Sequence, residues 1–208
     1  MLGLLAESRT RLNLLRHRGR TGRRLEIGPG QFPLEGFETL NIHAGRWTDY
    51  VRDAAGALPF DDGTFELVYA SHVLEHVPWY QTAGTLAEWV RILAPGGALE
   101  IWVPDGLKIA RAFVDAETNG HDCFADDPWT KLNDEKDPCK WAAGRLFTYG
   151  DDDGNPASPN WHRALFSPRY LRKCLADAGL IDVRLMEPSE VRGADHGWIN
   201  LGMRGVKP

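Results

Sequence analysis

Two histidines of this chain are candidates for taking a proton from a bound molecule. His76 ends the segment SHVLEH at 71–76, and His162 lies in the run NWHR at 160–163. Because an imidazole titrates near neutral pH, either side chain can serve as a general base towards an acceptor hydroxyl. Asp105, which follows a proline, is a third candidate base. The alternatives are that His76 packs against and caps the next helix, and that His162 lies on the surface.

A glycine-rich turn is a second feature that suits ligand chemistry. The segment RLEIGPG at 24–30 runs from a strand-like stretch through an acidic residue into two glycines. Gly28 and Gly30 let the backbone turn sharply and approach a ligand, since no Cβ stands in the way. A dinucleotide fingerprint needs a further glycine and a helix whose N-terminus faces the pyrophosphate. Neither is evident in this sequence, which argues against a dinucleotide.

The segment 71–76 also contains a pattern known from zinc enzymes. His72, Glu75 and His76 spell H-x-x-E-H, which occurs in zinc proteases. Ligands of that kind need a continuous helix, whereas Pro78 follows almost at once. A third ligand is not apparent either. The sequence therefore predicts no metal site.

Alternating strand and helix patterns position these residues. An apolar run at 65–70 is typical of a buried parallel strand, and apolar residues recur at helical spacing over 81–93, where PGG at 95–97 ends the pattern. The first two strands lie too close for a full crossover helix, so we expect a loop or a single turn between them. The predicted strands are 23–27, 37–43, 49–52, 65–70, 98–103, 180–186 and 197–204, with helices at 81–93, 106–118 and 167–179.

The combination of these segments resembles one enzyme family. RLEIGPG, LPF at 58–60, SHVLEH and LAPGG at 93–97 together resemble the class I S-adenosylmethionine-dependent methyltransferases, in particular a small bacterial branch. The resemblance is strong over residues 22–105. It implies an α/β fold, Rossmann-like and doubly wound, whose mostly parallel seven-stranded sheet has its last strand antiparallel. It also implies methyl transfer from S-adenosylmethionine.

The resemblance implies a role for each turn at a strand end. The backbone at Gly28 and Gly30 would approach the cofactor, and Glu26 would meet the methionine ammonium. Asp53 would bind the adenine amino group; the alternative is a helix-capping aspartate. The implied cofactor-binding residues are Glu26, Gly28, Pro29, Gly30, Gln31, Asn41, His43, Asp53, Ala54, Ser71 and His72.

Two positions depart from the family pattern. His43 stands where the family carries a carboxylate for the ribose hydroxyls, and an imidazole accepts only one hydrogen bond at a time. The resemblance therefore implies either a reduced affinity for the cofactor or a compensating contact from Asn41. Phe32 stands at the third glycine. An alternative function is therefore a methyltransferase-like binding or scaffold protein without catalysis.

The first residues form a separate, basic segment. Residues 1–24 hold seven arginines and one glutamate, a charge of +6, while the whole chain carries −5. We expect a basic N-terminal helix over 1–22 with one apolar side, followed by a single methyltransferase domain over 23–208. This helix either packs beside the cofactor cleft or contacts an anionic surface, of lipid or nucleic acid.

An insertion is expected at about 105–160, where twelve acidic residues face six basic ones. Its tryptophans, Trp129, Trp141 and Trp161, either offer platforms for an acceptor or form the insertion's own small core. The acidic balance argues against nucleic acid as the acceptor. The favoured acceptor is a small molecule or a glycan precursor, methylated at oxygen.

The compartment follows from the cysteines and from the apolar runs. Cys123, Cys139 and Cys174 are odd in number and widely spaced, which is typical of free thiols in a reducing compartment. No apolar run has membrane-spanning length. We therefore expect a cytoplasmic protein.

Overall fold

Seven strands form one sheet in the computed structural model, which describes residues 2–148 and 154–208. The strands are β1 (Arg24–Ile27), β2 (Glu38–Asn41), β3 (Tyr50–Val51), β4 (Phe65–Ser71), β5 (Leu93–Pro104), β6 (Ile181–Met186) and β7 (Asn200–Val206). Their order is β3-β2-β1-β4-β5-β7-β6, and β7 runs antiparallel to both its neighbours. The predicted mostly parallel sheet with an antiparallel last strand is thus confirmed.

Six α-helices accompany the sheet in the described part of the chain. They are α1 (Leu2–His17), α2 (Thr82–Arg91), α3 (Gly106–Asn119), α4 (Cys123–Asp126), α5 (Pro138–Phe147) and α6 (Pro168–Asp177). The side chain of Ser167 accepts the N–H of Tyr170 and so caps α6, while Pro168 occupies the first turn. Apolar side chains of α2 and α6, such as Trp89 and Leu171, are fully buried against the strands.

A loop rather than a helix connects β1 to β2, as the spacing predicts. Residues 28–37, all of which the structure describes, form this loop, and the N–H of Gly28 donates to the carbonyl of Leu40 at 2.8 Å. The loop therefore stays close to the end of β2. It leaves the carboxyl ends of the central strands open.

The strand β5 begins earlier than the sequence predicts. We expect a helix to reach residue 93 and the strand to start at 98, yet α2 ends at Arg91 and β5 already pairs through Leu93. Pro95–Gly97 lie within β5, where the register with β4 shifts. A Cβ at Gly97 would stand 2.8 Å from a backbone oxygen, so the glycine fits this irregularity.

The segment after β5 builds a second, smaller core. Helices α3, α4 and α5 bury Ile109, Cys123 and Trp141, with Trp129 packed against them. The packing of Trp129 and Trp141 favours the interpretation as the insertion's own core. Asp105 accepts the N–H groups of Leu107 and Lys108 and caps α3. The structure thus gives this carboxylate a helix-stabilising contact.

The N-terminal helix α1 packs on the edge strand β3 through polar side chains. Thr10 accepts the N–H of Val51 at 3.0 Å, and Asn13 donates to the carbonyl of Asp49 at 3.1 Å. Leu14 packs against the core, whereas Leu12 and Leu15 are 65% and 68% exposed, so only part of the expected apolar side faces the sheet. Hydrogen bonds to an edge strand hold this helix.

Within the described ranges, no helix combines the length and the apolar composition that crossing a bilayer requires.

Candidate functional site

A cleft of about 790 Å³ opens beyond the carboxyl ends of β1, β2 and β4. This volume is within the range of small-molecule sites, roughly 300–1,000 Å³. Tyr80, Asn160 and Arg163 bring side chains from beyond those strands to its wall. Of the residues predicted from the sequence, those that line it are Gly28, Pro29, Asn41, His43, Asp53, Ala54, His72 and His76.

The turn after β1 forms one wall and requires a glycine. Gly28 has a φ of +69°, and a Cβ there would lie 2.3 Å from Cγ2 of Val73. Gly30 and Gln31 are exposed and do not line the cleft. The backbone at Gly28 can thus approach a ligand more closely than any other residue type would allow.

Glu26 is buried behind this turn. Its carboxylate accepts the N–H of Leu34 at 2.8 Å, which holds the loop against β1. Burial raises the pKa of the Glu26 carboxyl, and the hydrogen bond from Leu34 offsets part of that rise. Glu26 does not line the cleft as Gly28 does.

The ends of β2 and β3 present polar groups to the cleft. His43 is exposed, lies beyond the last residue of β2 and donates its backbone N–H to Oδ1 of Asn41 at 3.4 Å. Asp53 is exposed as well and accepts the N–H of Ala55 at 2.9 Å. A turn rather than a helix follows Asp53, so the helix-capping interpretation is wrong.

A buried ion pair stands at the end of β4. Ser71 is the last strand residue and does not line the cleft, whereas His72 turns into the left-handed region with a φ of 54°. This conformation brings Nδ1 of His72 to 3.1 Å from Oε1 of Glu75, and Nε2 to 2.8 Å from Oδ1 of Asn200. Strained conformations of this kind cluster at functional sites.

The two partners of this pair shift each other's pKa. Burial disfavours both charges, yet the contact with Glu75 outweighs it and raises the pKa of His72. Burial likewise opposes ionisation of Glu75, and the contact with His72 outweighs it and lowers the pKa of Glu75. Each partner therefore favours the charged form of the other.

Further histidines surround Glu75. The rings of His76 and His162 meet edge to face with centroids 5.0 Å apart, and Nε2 of His162 lies 3.9 Å from Oε1 of Glu75. Burial lowers the pKa of His162 to about 4, so this ring is neutral near neutral pH. The ring of His196 lies 3.9 Å from that of His72. We call the five residues His72, Glu75, His76, His162 and His196 the histidine cluster.

Only His76 and His72 of this cluster reach the cleft wall. His162 is 10% exposed and lies behind His76, so it is neither a surface histidine nor a wall residue. Backbone hydrogen bonds fix this arrangement, because the N–H groups of Arg163 and Ala164 both donate to the carbonyl of Glu75. The segment after α5 is thereby tied to the end of β4.

The central part of the chain matches a known domain. Residues 27–101 match the family model described as "Methyltransferase domain". This part of the chain is thus similar to methyltransferase domains, as the sequence predicts. A search of curated proteins finds no match.

Several solved structures share the fold of this chain. The trans-methyltransferase CalH in complex with SAH is 18% identical, with a TM-score of 0.50 over 99% of this chain and 60% of that chain. A possible exported protein from Bordetella parapertussis is 15% identical, with a TM-score of 0.51 over 98% and 67%. The CMeT domain of citrinin polyketide synthase is 13% identical, with a TM-score of 0.51 over 97% and 52%. The present chain thus spans little more than half the length of two of these proteins, CalH and the CMeT domain.

No sequence pattern singles out several of the residues that form this site. Asn200 holds His72 from β7, although 128 positions separate them. His196 stacks on the same ring, and no spacing links it to His72. Tyr80 and Arg163 line the cleft next to residues that the sequence singles out. The only sequence signal for these two residues is position: Tyr80 lies shortly after SHVLEH, and Arg163 directly follows His162.

Proposed function

We propose that the cleft of this methyltransferase binds S-adenosylmethionine with the turn at Gly28 and the ends of β2 and β3. The observation that carries this proposal is the convergence of Gly28, Asn41, His43 and Asp53 on one cleft. Gly28 leaves room for the ligand, because a Cβ at this position would clash with Val73 and force the turn to move. Ligands of doubly wound sheets bind at this edge.

Individual contacts follow from the chemistry of the side chains. Asp53 has one carboxylate oxygen engaged by Ala55 and a second one able to accept from the adenine amino group. Asn41 and His43 face the ribose hydroxyls. His43 accepts one hydrogen bond, and the amide of Asn41 supplies another, which compensates for the missing carboxylate.

The acceptor is proposed to bind at the end of the cleft that His76 and Tyr80 form. The cofactor supplies a methyl group on a sulfonium sulfur. The residues of this chain position an acceptor oxygen and promote the loss of its proton. His76 does so from the cleft wall, and His162 acts through its ring contact with His76. The exposed ring of Tyr80 suits a small molecule or a glycan precursor.

Two further proposals concern the setting of the enzyme. The free thiols of Cys123, Cys139 and Cys174 support a reducing, cytoplasmic compartment. On α1, the exposed Leu12 and Leu15 lie beside arginines, which supports contact with an anionic membrane surface. Sedimentation with anionic and with neutral vesicles tests the latter, because only anionic vesicles should retain the protein.

The experiment that tests the proposed cofactor site is calorimetric titration of the purified protein with S-adenosylmethionine and with S-adenosylhomocysteine. We expect micromolar dissociation constants, about −8 kcal/mol. Asp53→Ala should lower the affinity for both ligands about tenfold, because the adenine amino group loses its hydrogen-bond acceptor. Asp61→Ala, a matched removal of an exposed carboxylate outside the cleft, should leave them unchanged. Equal affinity for both variants would contradict the adenine contact.

A further inference from the structure

Three side chains of the histidine cluster come together as a set of metal ligands. One ligand atom each from Glu75, His76 and His162 lies within 4.8 Å of the other two. Two imidazoles and one carboxylate form a donor set that zinc and similar divalent ions prefer. Bonds of about 2.0–2.2 Å to one ion require these atoms to move closer together when the ion binds.

The carboxylate of Glu75 is the observation that points to a cation. Its side chain is 1% exposed, and among the described residues neither oxygen has a hydrogen-bond partner. The contact of 3.1 Å with His72 is an ion pair without hydrogen-bond geometry. Burying a carboxylate with free lone pairs is costly unless a further positive group satisfies them. A bound cation would satisfy them.

The ligands are held by backbone contacts on both sides. Glu75 and His76 occupy a short 3-10 turn, and His162 is anchored because its neighbours Arg163 and Ala164 donate to the carbonyl of Glu75 at 2.7 and 3.0 Å. His162 donates its own backbone N–H to Phe147 at 3.1 Å. The three ligand-bearing positions are thus fixed relative to one another before any ion binds.

The pattern H-x-x-E-H does not form a continuous helix, as the sequence predicts, since Leu74–His76 forms only a 3-10 turn. The residue that joins Glu75 and His76 is His162, which approaches Glu75 from a distant segment and which no spacing in the sequence links to them. His72, the first histidine of the pattern, instead pairs with the carboxylate from the other side.

We propose that Glu75, His76 and His162 bind one divalent transition-metal ion, with its open coordination position towards the cleft. Three protein ligands and an open position are typical of catalytic rather than structural zinc. An ion here would lower the pKa of an acceptor hydroxyl bound to it, and the proton would pass to solvent in the cleft. With an ion bound, His76 and His162 would promote proton loss as ligands of that ion and not as bases. This role rests on the proposed function only in placing the acceptor at this end.

The test is a zinc titration of the full-length protein after treatment with a chelator and removal of that chelator. We expect one zinc per chain with a dissociation constant in the micromolar range or below. His162→Gln should weaken binding by at least roughly 100-fold, because a ligand is lost. His121→Gln is the matched control, since it removes a histidine from another His–carboxylate contact, with Asp126. This control should bind zinc like the unchanged protein.

A second measurement needs no variant. X-ray absorption at the zinc edge of the unchanged, loaded protein should show two imidazoles and oxygen ligands at about 2.0–2.2 Å. No stoichiometric zinc, or equal weakening by His162→Gln and His121→Gln, would overturn the proposal. Sulfur ligands in the absorption spectrum would do so as well.

Titration with S-adenosylhomocysteine separates this inference from the proposed function. If S-adenosylhomocysteine binds and zinc does not, the metal site is wrong and the cofactor site stands. If zinc binds to the three ligands and S-adenosylhomocysteine does not, the cofactor site is wrong. His162→Gln should retain the affinity for S-adenosylhomocysteine, because His162 does not line the cleft.

Discussion

The two sides of the cleft solve different physical problems. On the side of β1 to β3, the polar side chains of His43 and Asp53 are exposed. The backbone N–H of His43 donates to Asn41 at 3.4 Å, and the carboxylate of Asp53 accepts the N–H of Ala55 at 2.9 Å. On the side of β4, the charges of His72 and Glu75 are buried and hold each other. The first side depends on the shape of the backbone. The second depends on charge balance.

The two sides should therefore differ in the substitutions that they tolerate. An exposed side chain can be replaced at small cost, because water compensates for the lost contacts. A buried charge that loses its partner has no such compensation. We therefore expect substitutions in the histidine cluster to affect stability, and substitutions around His43 to affect mainly ligand affinity.

The largest expected effect is that of Glu75→Gln on the free energy of unfolding. This change leaves the buried charge of His72 without its partner, which should cost about 3–5 kcal/mol. The double variant with His72→Gln removes both charges and should recover part of the loss. Urea unfolding followed by fluorescence measures all three. If the single variant loses less than about 1 kcal/mol, the cluster is not charge-dependent and the contrast with the other side disappears.

The next effect concerns Gly28, where backbone shape matters most. Gly28→Ala should lower the free energy of unfolding by about 1–3 kcal/mol, because the new methyl group meets Val73 and the φ of this residue is positive. The same change should weaken the binding of S-adenosylmethionine. Gly30→Ala is the matched control, since no described atom lies within 4 Å of a Cβ there. Thermal unfolding and calorimetry compare the two. Similar losses for both glycines would show that the close approach at Gly28 is unimportant.

His43→Asp sharpens the comparison through affinity alone. A carboxylate can accept from both ribose hydroxyls, so S-adenosylmethionine should bind about tenfold tighter, or about 1.4 kcal/mol. Ala44→Asp places the same charge on the next exposed residue, which does not line the cleft. Equal gains for both variants would mean that the added charge acts at long range. No gain for either would place the ribose elsewhere.

The smallest effect tests a buried carboxylate outside the cleft. Burial opposes the charge of Glu38, but hydrogen bonds from Arg23, Tyr50 and His17 outweigh it and lower the pKa of this carboxyl. A lowered pKa in the folded state stabilises the protein above the ordinary carboxyl pKa and loses that contribution as the pH falls. The stability difference between the unchanged protein and Glu38→Gln, roughly 1 kcal/mol at pH 7, should therefore shrink below the ordinary value of 4.5.

The control for this titration is Glu66→Gln, which removes an exposed carboxylate. Its stability relative to the unchanged protein should show no comparable dependence on pH. A difference for Glu38→Gln that stays constant from pH 7 to pH 3 would mean that its partners do not favour the charged form.

Much of the sheet was predictable because the sequence of each strand carries its own local signal. The apolar run at 65–70 and the turn at Gly28 each carry their signal locally, and both lie where the sequence predicts. The start of β5 was not predictable, since Leu93 joins the sheet only through its pairing with Phe65. The outward direction of Leu12 and Leu15 was also missed, because hydrogen bonds to β3 decide how α1 lies.

The likeness to methyltransferases and the wall of the cleft at the ends of β1 to β3 were visible in the sequence, because those turns follow directly after their own strands. The histidine cluster, in contrast, arises only when distant segments pack together. Asn200 and His162 reach His72 and Glu75 from segments far along the chain, and backbone pairing rather than spacing sets their distances. A buried carboxylate gains its partners from whichever elements the fold packs around it, and no local pattern encodes that choice.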